Sequence, residues 1–190
     1  MRAFSFRQGA YENTRRLCFC GPLLPERRMY MQLKKMFTTR FVARAAAIGA
    51  VYAALTLILA PISYGQVQLR VSEALTLLPV LTPAAVPGLF VGCLIANLLG
   101  SASALDVIFG SLATLLAALL TRRLRNRSAL AALPPVVMNA LIVGGVLSYT
   151  LSLPLFATMG WVGLGEALAC FVLGLPLLRV ARRLQSKIFE

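Results

Sequence analysis

Glu73, Asp106 and Glu166 are the only acidic residues between Met29 and Lys187, and each stands in or beside a segment of Leu, Ala, Val and Gly. An ionised carboxylate at the centre of a bilayer costs about 2.5–3.5 kcal/mol on insertion scales, so a chain that keeps carboxylates there uses them to pair or to hold a ligand. Arg70 lies three residues before Glu73, on the same side of a helix, and the two can neutralise each other. Asp106 can equally be a favourable anion in the first turn of its helix. Glu166 follows GWVGLG and has no basic residue within a helical turn, which makes a ligand role its natural reading. Asn97 and Asn139 fit either interhelical hydrogen bonding or ligand contact. Tyr149 and Trp161 fit either an interfacial aromatic belt or the rim of a cavity.

Several chemistries have no residues to run on. The chain has no His, and Cys18, Cys20, Cys93 and Cys170 lack zinc-ligand spacing, so neither a metal site nor a disulfide framework is expected. Clustered Asp residues for magnesium are missing too, which argues against an enzyme. No G-x-x-x-x-G-K-[ST] occurs, so the chain has no P-loop with which to spend ATP. No cofactor is expected.

The elements that must position these residues are membrane spans. With 59% hydrophobic residues and only 13% charged, the 190-residue chain reads as an all-α, polytopic protein of the bilayer. The formal charge of +13 sits in blocks at span boundaries, the pattern of membrane topology and not of nucleic-acid binding. Spans are expected at about 41–60, 69–81, 84–100, 104–121, 130–152 and 158–178. The segment 69–81 is short, yet without it the span 104–121 would deliver RRLRNR to the outside. Six crossings with both termini cytoplasmic put every basic block on one side and leave Arg70 as the only basic residue in the outer half. The domain plan is a basic extension over 1–40, a six-helix membrane domain over 41–181 and a basic cytoplasmic tail over 182–190. Met29, Met31 and Met36 each precede the first span, so translation is expected to begin downstream of Met1.

That topology sets depth. Arg70, Glu73, Asn97 and Asp106 fall in one outer layer, Asn139 falls near the midplane, and Glu166 sits about two turns below the outer end of its span. The expected result is a polar, aromatic-rimmed cavity open to the outside. A carboxylate accepts two hydrogen bonds from an amidine-like edge such as that of guanine, and aromatic rings stack on bases. With Arg70 as the only cation available, an anionic ligand is disfavoured. In the first span Ala43, Ala46, Ala47, Ala50 and Ala54 make a smooth stripe where a second helix can approach, from inside the fold or from a partner protein.

The runs YGQVQLRVSEALTLLPVLTPAAVPGLFVGCLIANLLG (64–100), LDVIFGSLATLLAALLT (105–121), PPVVMNALIVGG (134–145) and GWVGLGEALACFVLGLPLL (160–178) resemble the queuosine-precursor transporter (QueT) family. Members are substrate-capture (S) components of energy-coupling factor (ECF) importers. The resemblance covers about residues 42–181 and implies a multi-pass protein of the prokaryotic plasma membrane that binds a 7-deazaguanine precursor of queuosine. It implies an ABC-type complex with a transmembrane coupling protein and two ATPases, onto which the alanine stripe docks. The family's motif positions fall on Tyr64, Arg70, Glu73, Asn97, Asp106, Asn139 and Glu166, with Trp161 beside them. Residues 1–40 depart from the family pattern. The rival readings are an S component for another vitamin, such as thiamine or biotin, and a small proton-coupled carrier working through Glu73 or Glu166.

Overall fold

The computed structural model describes residues 38–63, 70–100 and 103–189, and within them every regular element is a helix. The expectations for most of the basic extension and for Tyr64 fall outside these residues. Helix α1 is Thr39–Ile58, followed by a single turn at Ala60–Ser63. At about 1.5 Å per residue its 20 residues match the ~30 Å hydrocarbon thickness of a bilayer. Helix α2, Val71–Val80, has the tighter 3-10 geometry. Helix α3 is Ala85–Leu99. Helix α4 opens with a π-helical stretch, Asp106–Gly110, and continues as Ser111–Arg123. Helix α5 spans Leu130–Leu151 and α6 runs from Leu155 to Phe189.

Among the described residues three helices are long and apolar enough to cross a membrane: Thr39–Ile58, Leu130–Leu151 and Leu155–Leu184. The short segment expected at 69–81 is a ten-residue helix, about 20 Å long at a 3-10 rise of ~2.0 Å, well under the hydrocarbon thickness. Its burial explains why it tolerates this. Ser72 through Leu77, with Pro79 and Val80, are all buried, so its backbone faces protein and not lipid. It packs against α1, α3, α4 and α6 at once and forms the axis of the bundle.

Helices α1 and α3 touch backbone to backbone. A methyl group on Gly49 would stand 2.7 Å from the Gly88 carbonyl oxygen, one on Gly88 2.5 Å from that of Ala45, and one on Gly92 2.6 Å from that of Gly49. Only glycine permits this approach, the close-packing logic of small residues in membrane helices. The alanine stripe does not share this contact. Ala43, Ala46, Ala47, Ala50 and Ala54 are all exposed, whereas Gly49, Tyr52, Ala53 and Thr56 form the buried face of α1.

The contacts bring the described basic residues other than Arg70 to one end of the bundle. The Gly88 turn of α3 sits against Ala45, one residue from Arg44. Arg122 at the close of α4 donates to the Pro79 carbonyl of α2 at 2.9 Å. Val80, Ala131 and Leu178 then share an apolar cluster just inside the arginines of the α6 tail. That tail, expected as an appendage from 182, continues the α6 helix as far as Phe189, with Leu178 buried and Arg179, Arg182 and Arg183 exposed.

Most of the prolines in the helical segments stand near helix starts. Pro87, Pro134, Pro135 and Pro154 fall at helix starts, where a missing N–H removes no helical bond. Pro176 follows the π-helical stretch Leu168–Gly174 directly, where its missing N–H denies the preceding turn a partner and accounts for the widening.

Candidate functional site

Of the polar residues singled out in the sequence, Arg70, Glu73, Asn97, Asp106, Asn139 and Glu166 are buried inside this bundle, and most stand where helix geometry departs from α. Glu73 is in the 3-10 helix, Asp106 and Asn139 open π-helical stretches of α4 and α5, and Glu166 lies two residues before the one in α6. Such wide turns re-aim side chains and recur at functional sites.

The structure brings Arg70, Glu73, Asn139 and Glu166 together. Their exposures are 3%, 0%, 2% and 2%. The Asn139 side-chain amide is within hydrogen-bonding reach of both the Glu73 and the Glu166 carboxylates, and Arg70 is close enough for its charge to act on both. One further residue completes the group. Tyr52, fully buried on the inner face of α1, donates its hydroxyl hydrogen bond to Oε1 of Glu73. The Glu73 backbone is fixed as well, since its N–H binds the Arg70 carbonyl at 3.0 Å and its carbonyl accepts from the Thr76 hydroxyl.

Asn97 and Asp106 form a second locus. Asn97 donates from Nδ2 to the Asp106 carbonyl at 3.2 Å, while Asp106 Oδ2 accepts from the Ser103 hydroxyl at 3.1 Å and its N–H binds Ser103 Oγ at 3.2 Å. Asp106 thus does the helix-start work that its position suggested, although its Oδ1 and that of Asn97 remain without a partner. Cys93 joins the two loci: its Sγ accepts from Asn97 Nδ2 at 3.6 Å and Thr114 Oγ1 at 3.3 Å, and it lies beside Tyr52. A continuous polar thread therefore runs from Glu166 through Asn139, Glu73, Tyr52, Cys93 and Asn97 to Asp106.

Trp161 and Tyr149 do not join the thread. They are 57% and 80% exposed on the outside of α6 and α5, where an aromatic belt belongs. Tyr52, Cys93 and Cys170 are the residues that reading the sequence passed over. Tyr52 had one available signal: it shares a helical face with Gly49, Ala53 and Thr56, the small and polar residues that mark the buried side of a membrane helix.

Glu73 Oε2 and Glu166 Oε2 are buried without a hydrogen-bond partner, as are Asp106 Oδ1 and Asn97 Oδ1. All four are acceptors. Buried acceptors left open in low dielectric are costly unless a donor meets them.

An all-helical bundle with three helices long and apolar enough to cross a membrane, enclosing a buried cluster of polar side chains, is the fold of a membrane protein. The QueT transporter family model matches residues 42–183, and the chain belongs to that family. No curated protein and no solved structure matches it.

Proposed function

We propose that this chain is the substrate-capture component of an ECF-type importer and that its ligand is a 7-deazaguanine precursor of queuosine. The observation that carries the reading is the pair of buried, partly unsatisfied carboxylates, Glu73 and Glu166, joined through Asn139 and flanked by Tyr52 and Arg70. A guanine-like edge supplies adjacent N–H donors of the kind these open acceptors require. Arg70, Asn97 and Asp106 line the same polar thread.

Transport by this reading needs partners. The exposed stripe of Ala43, Ala46, Ala47, Ala50 and Ala54 is the docking face for a transmembrane coupling protein, and two ATPases supply the energy. The gathering of the arginines at one end supports a cytoplasmic placement of that end and of both termini in a prokaryotic plasma membrane.

Isothermal titration of the purified chain in detergent, without partners, against 7-deazaguanine bases tests the reading. One-to-one binding that guanine competes for and thiamine and biotin do not is the expected result. Response to one of those vitamins instead would reassign the substrate. Uptake against a gradient by membranes holding this chain alone would overturn the dependence on partners and favour the proton-coupled carrier.

A further inference from the structure

Helix α2 carries Glu73, and its C-terminal end is short of backbone donors. A carbonyl there accepts from the N–H three residues on in 3-10 geometry, or four residues on in α geometry. For Pro79 the first of these, the Thr82 N–H, is spent on the Leu78 carbonyl at 3.1 Å, which also accepts from the Leu81 N–H at 2.9 Å. The second does not exist, because residue 83 is proline. Pro79 is buried, so its carbonyl needs a donor from elsewhere in the protein. Arg122 of α4 supplies it, donating from Nη1 at 2.9 Å. A guanidinium on the last carbonyls of a helix is favourable both as a hydrogen bond and as a cation at the negative end.

Helix α2 is pinned at its ends and smooth between them. At the N-terminal end Tyr52 and Thr56 of α1 donate to Glu73 Oε1 and to Ser72 Oγ, the latter at 2.7 Å. Midway, α2 lies against Gly174 of α6, where a methyl group would stand 2.7 Å from Leu77 Cδ1 and 3.3 Å from the Ala74 carbonyl oxygen. A glycine surface gives close contact without a side chain to block sliding along the axis. The Arg122 bond pins the C-terminal end, and its own origin is fixed, since Thr121 beside it donates to the Ala131 carbonyl at 3.0 Å. Pro79 lies six residues beyond Glu73 (79 − 73), about 12 Å at a 3-10 rise of ~2.0 Å. A hydrogen-bonded helix of that length moves as a unit, so what holds Pro79 sets where Glu73 stands.

We infer that Arg122 is a positioning residue for the capture site: by holding the Pro79 carbonyl it sets the register of α2, and with it the grip of Glu73 on the ligand. The inference rests on the capture reading above and adds a control point to it, at the end of the bundle where the described arginines other than Arg70 gather. Arg122 is half-buried there, while Arg123, Arg125 and Arg127 beside it are exposed.

The test uses three variants of the full chain. Arg122→Gln shortens the arm and removes its charge, Arg122→Lys keeps a charged donor, and Arg123→Gln removes the neighbouring exposed charge. Each is purified in detergent and titrated separately with 7-aminomethyl-7-deazaguanine and 7-cyano-7-deazaguanine, the affinity being referred to the folded fraction given by the thermal transition. Loss of one charged hydrogen bond predicts binding weaker by at least about fivefold in Arg122→Gln, largely recovered in Arg122→Lys and unchanged in Arg123→Gln. A lowered unfolding midpoint with parental affinity in Arg122→Gln would make the contact structural only and overturn the inference, and so would an equal loss in Arg123→Gln. Hydrogen exchange of the unaltered chain decides the matter where a variant does not fold. Bound base should slow exchange at the Leu81 and Thr82 amides, which adjoin the Pro79 carbonyl, and unchanged exchange there overturns the inference while leaving the capture reading standing. A parent chain that binds neither base overturns both together.

Discussion

Adding one methyl group to the protein at two glycines is expected to have opposite effects. In Gly88→Ala the new Cβ would lie 2.5 Å from the Ala45 carbonyl oxygen and 3.2 Å from the Ala45 Cα, both backbone atoms that cannot rotate away. Ordinary contact begins near 3.4 Å, so α1 and α3 must part by about 0.9 Å (3.4 − 2.5) along a seam that also holds Gly49 and Gly92. Forced displacement of packed elements costs about 1–3 kcal/mol. In Gly160→Ala the methyl group meets nothing within 4 Å, and the exposed helical position gains up to about 1 kcal/mol of helix propensity. Because both changes are Gly to Ala within a helix, the difference between them reports the seam. Thermal unfolding of the two variants in the same detergent should show Gly88→Ala melting below the parent and Gly160→Ala at or above it. The widening should also separate Tyr52 on α1 from Glu73, so ligand affinity should fall in Gly88→Ala and hold in Gly160→Ala. Two variants that melt together would refute the account of α1–α3 packing.

Tyr52→Phe removes the hydroxyl that Glu73 Oε1 accepts from and leaves a buried carboxylate oxygen open; a loss of about 1–3 kcal/mol of stability is expected, read by the same unfolding assay, with weaker ligand binding. Ser152 closes the turn between α5 and α6 with φ 54° and ψ 38°, beside the Leu153 N–H bond to the Ser148 carbonyl at 3.0 Å, so Ser152→Gly should raise the unfolding midpoint by relieving up to about 1–2 kcal/mol of left-handed strain.

The sequence made the helices visible because apolar runs bounded by arginine blocks leave few choices, and five of the six helices begin and end within a few residues of where those runs do. It also made the acidic residues conspicuous, since Glu73 and Glu166 have no other excuse for standing among Leu, Ala and Gly. Depth arguments grouped Glu73 with Asn97 and Asp106, whereas the structure sets Glu73 beside Asn139 and Glu166 and leaves Asn97 and Asp106 as a separate locus. What one dimension hides is rotation about each helix axis. Trp161 and Glu166 are five residues apart in α6, which turns them to different faces: one meets lipid at 57% exposure and the other is buried at 2%. The same uncertainty concealed Tyr52, whose importance depends on which way α1 turns, and that is fixed by the glycines of the seam acting with a second helix far along the chain.

The geometry of α2 was hidden for a related reason. Its residues pass for a short ordinary helix, and the 3-10 form emerges only where neighbours on several sides take up its backbone and Arg122 reaches back to the Pro79 carbonyl. A short, tight, buried helix is a useful carrier for Glu73. Its narrow cylinder lets α1, α3, α4 and α6 converge on it, so a single carboxylate can meet a hydroxyl from α1 and an amide from α5 while staying within reach of the carboxylate from α6. With the backbone carbonyl of Glu73 held by Thr76 and its Oε1 held by Tyr52, the carboxylate is fixed before any ligand arrives, and the cost of ordering it is met on folding and not on capture. Glu166, with less of its own helix committed to holding it and a π-helical stretch just beyond, is the partner free to adjust. A site made of one fixed and one adjustable carboxylate should show its larger ligand-dependent change in α6, and hydrogen exchange of 166–174 with and without a 7-deazaguanine base would detect it; equal protection changes in α2 and α6 would argue that both carboxylates move.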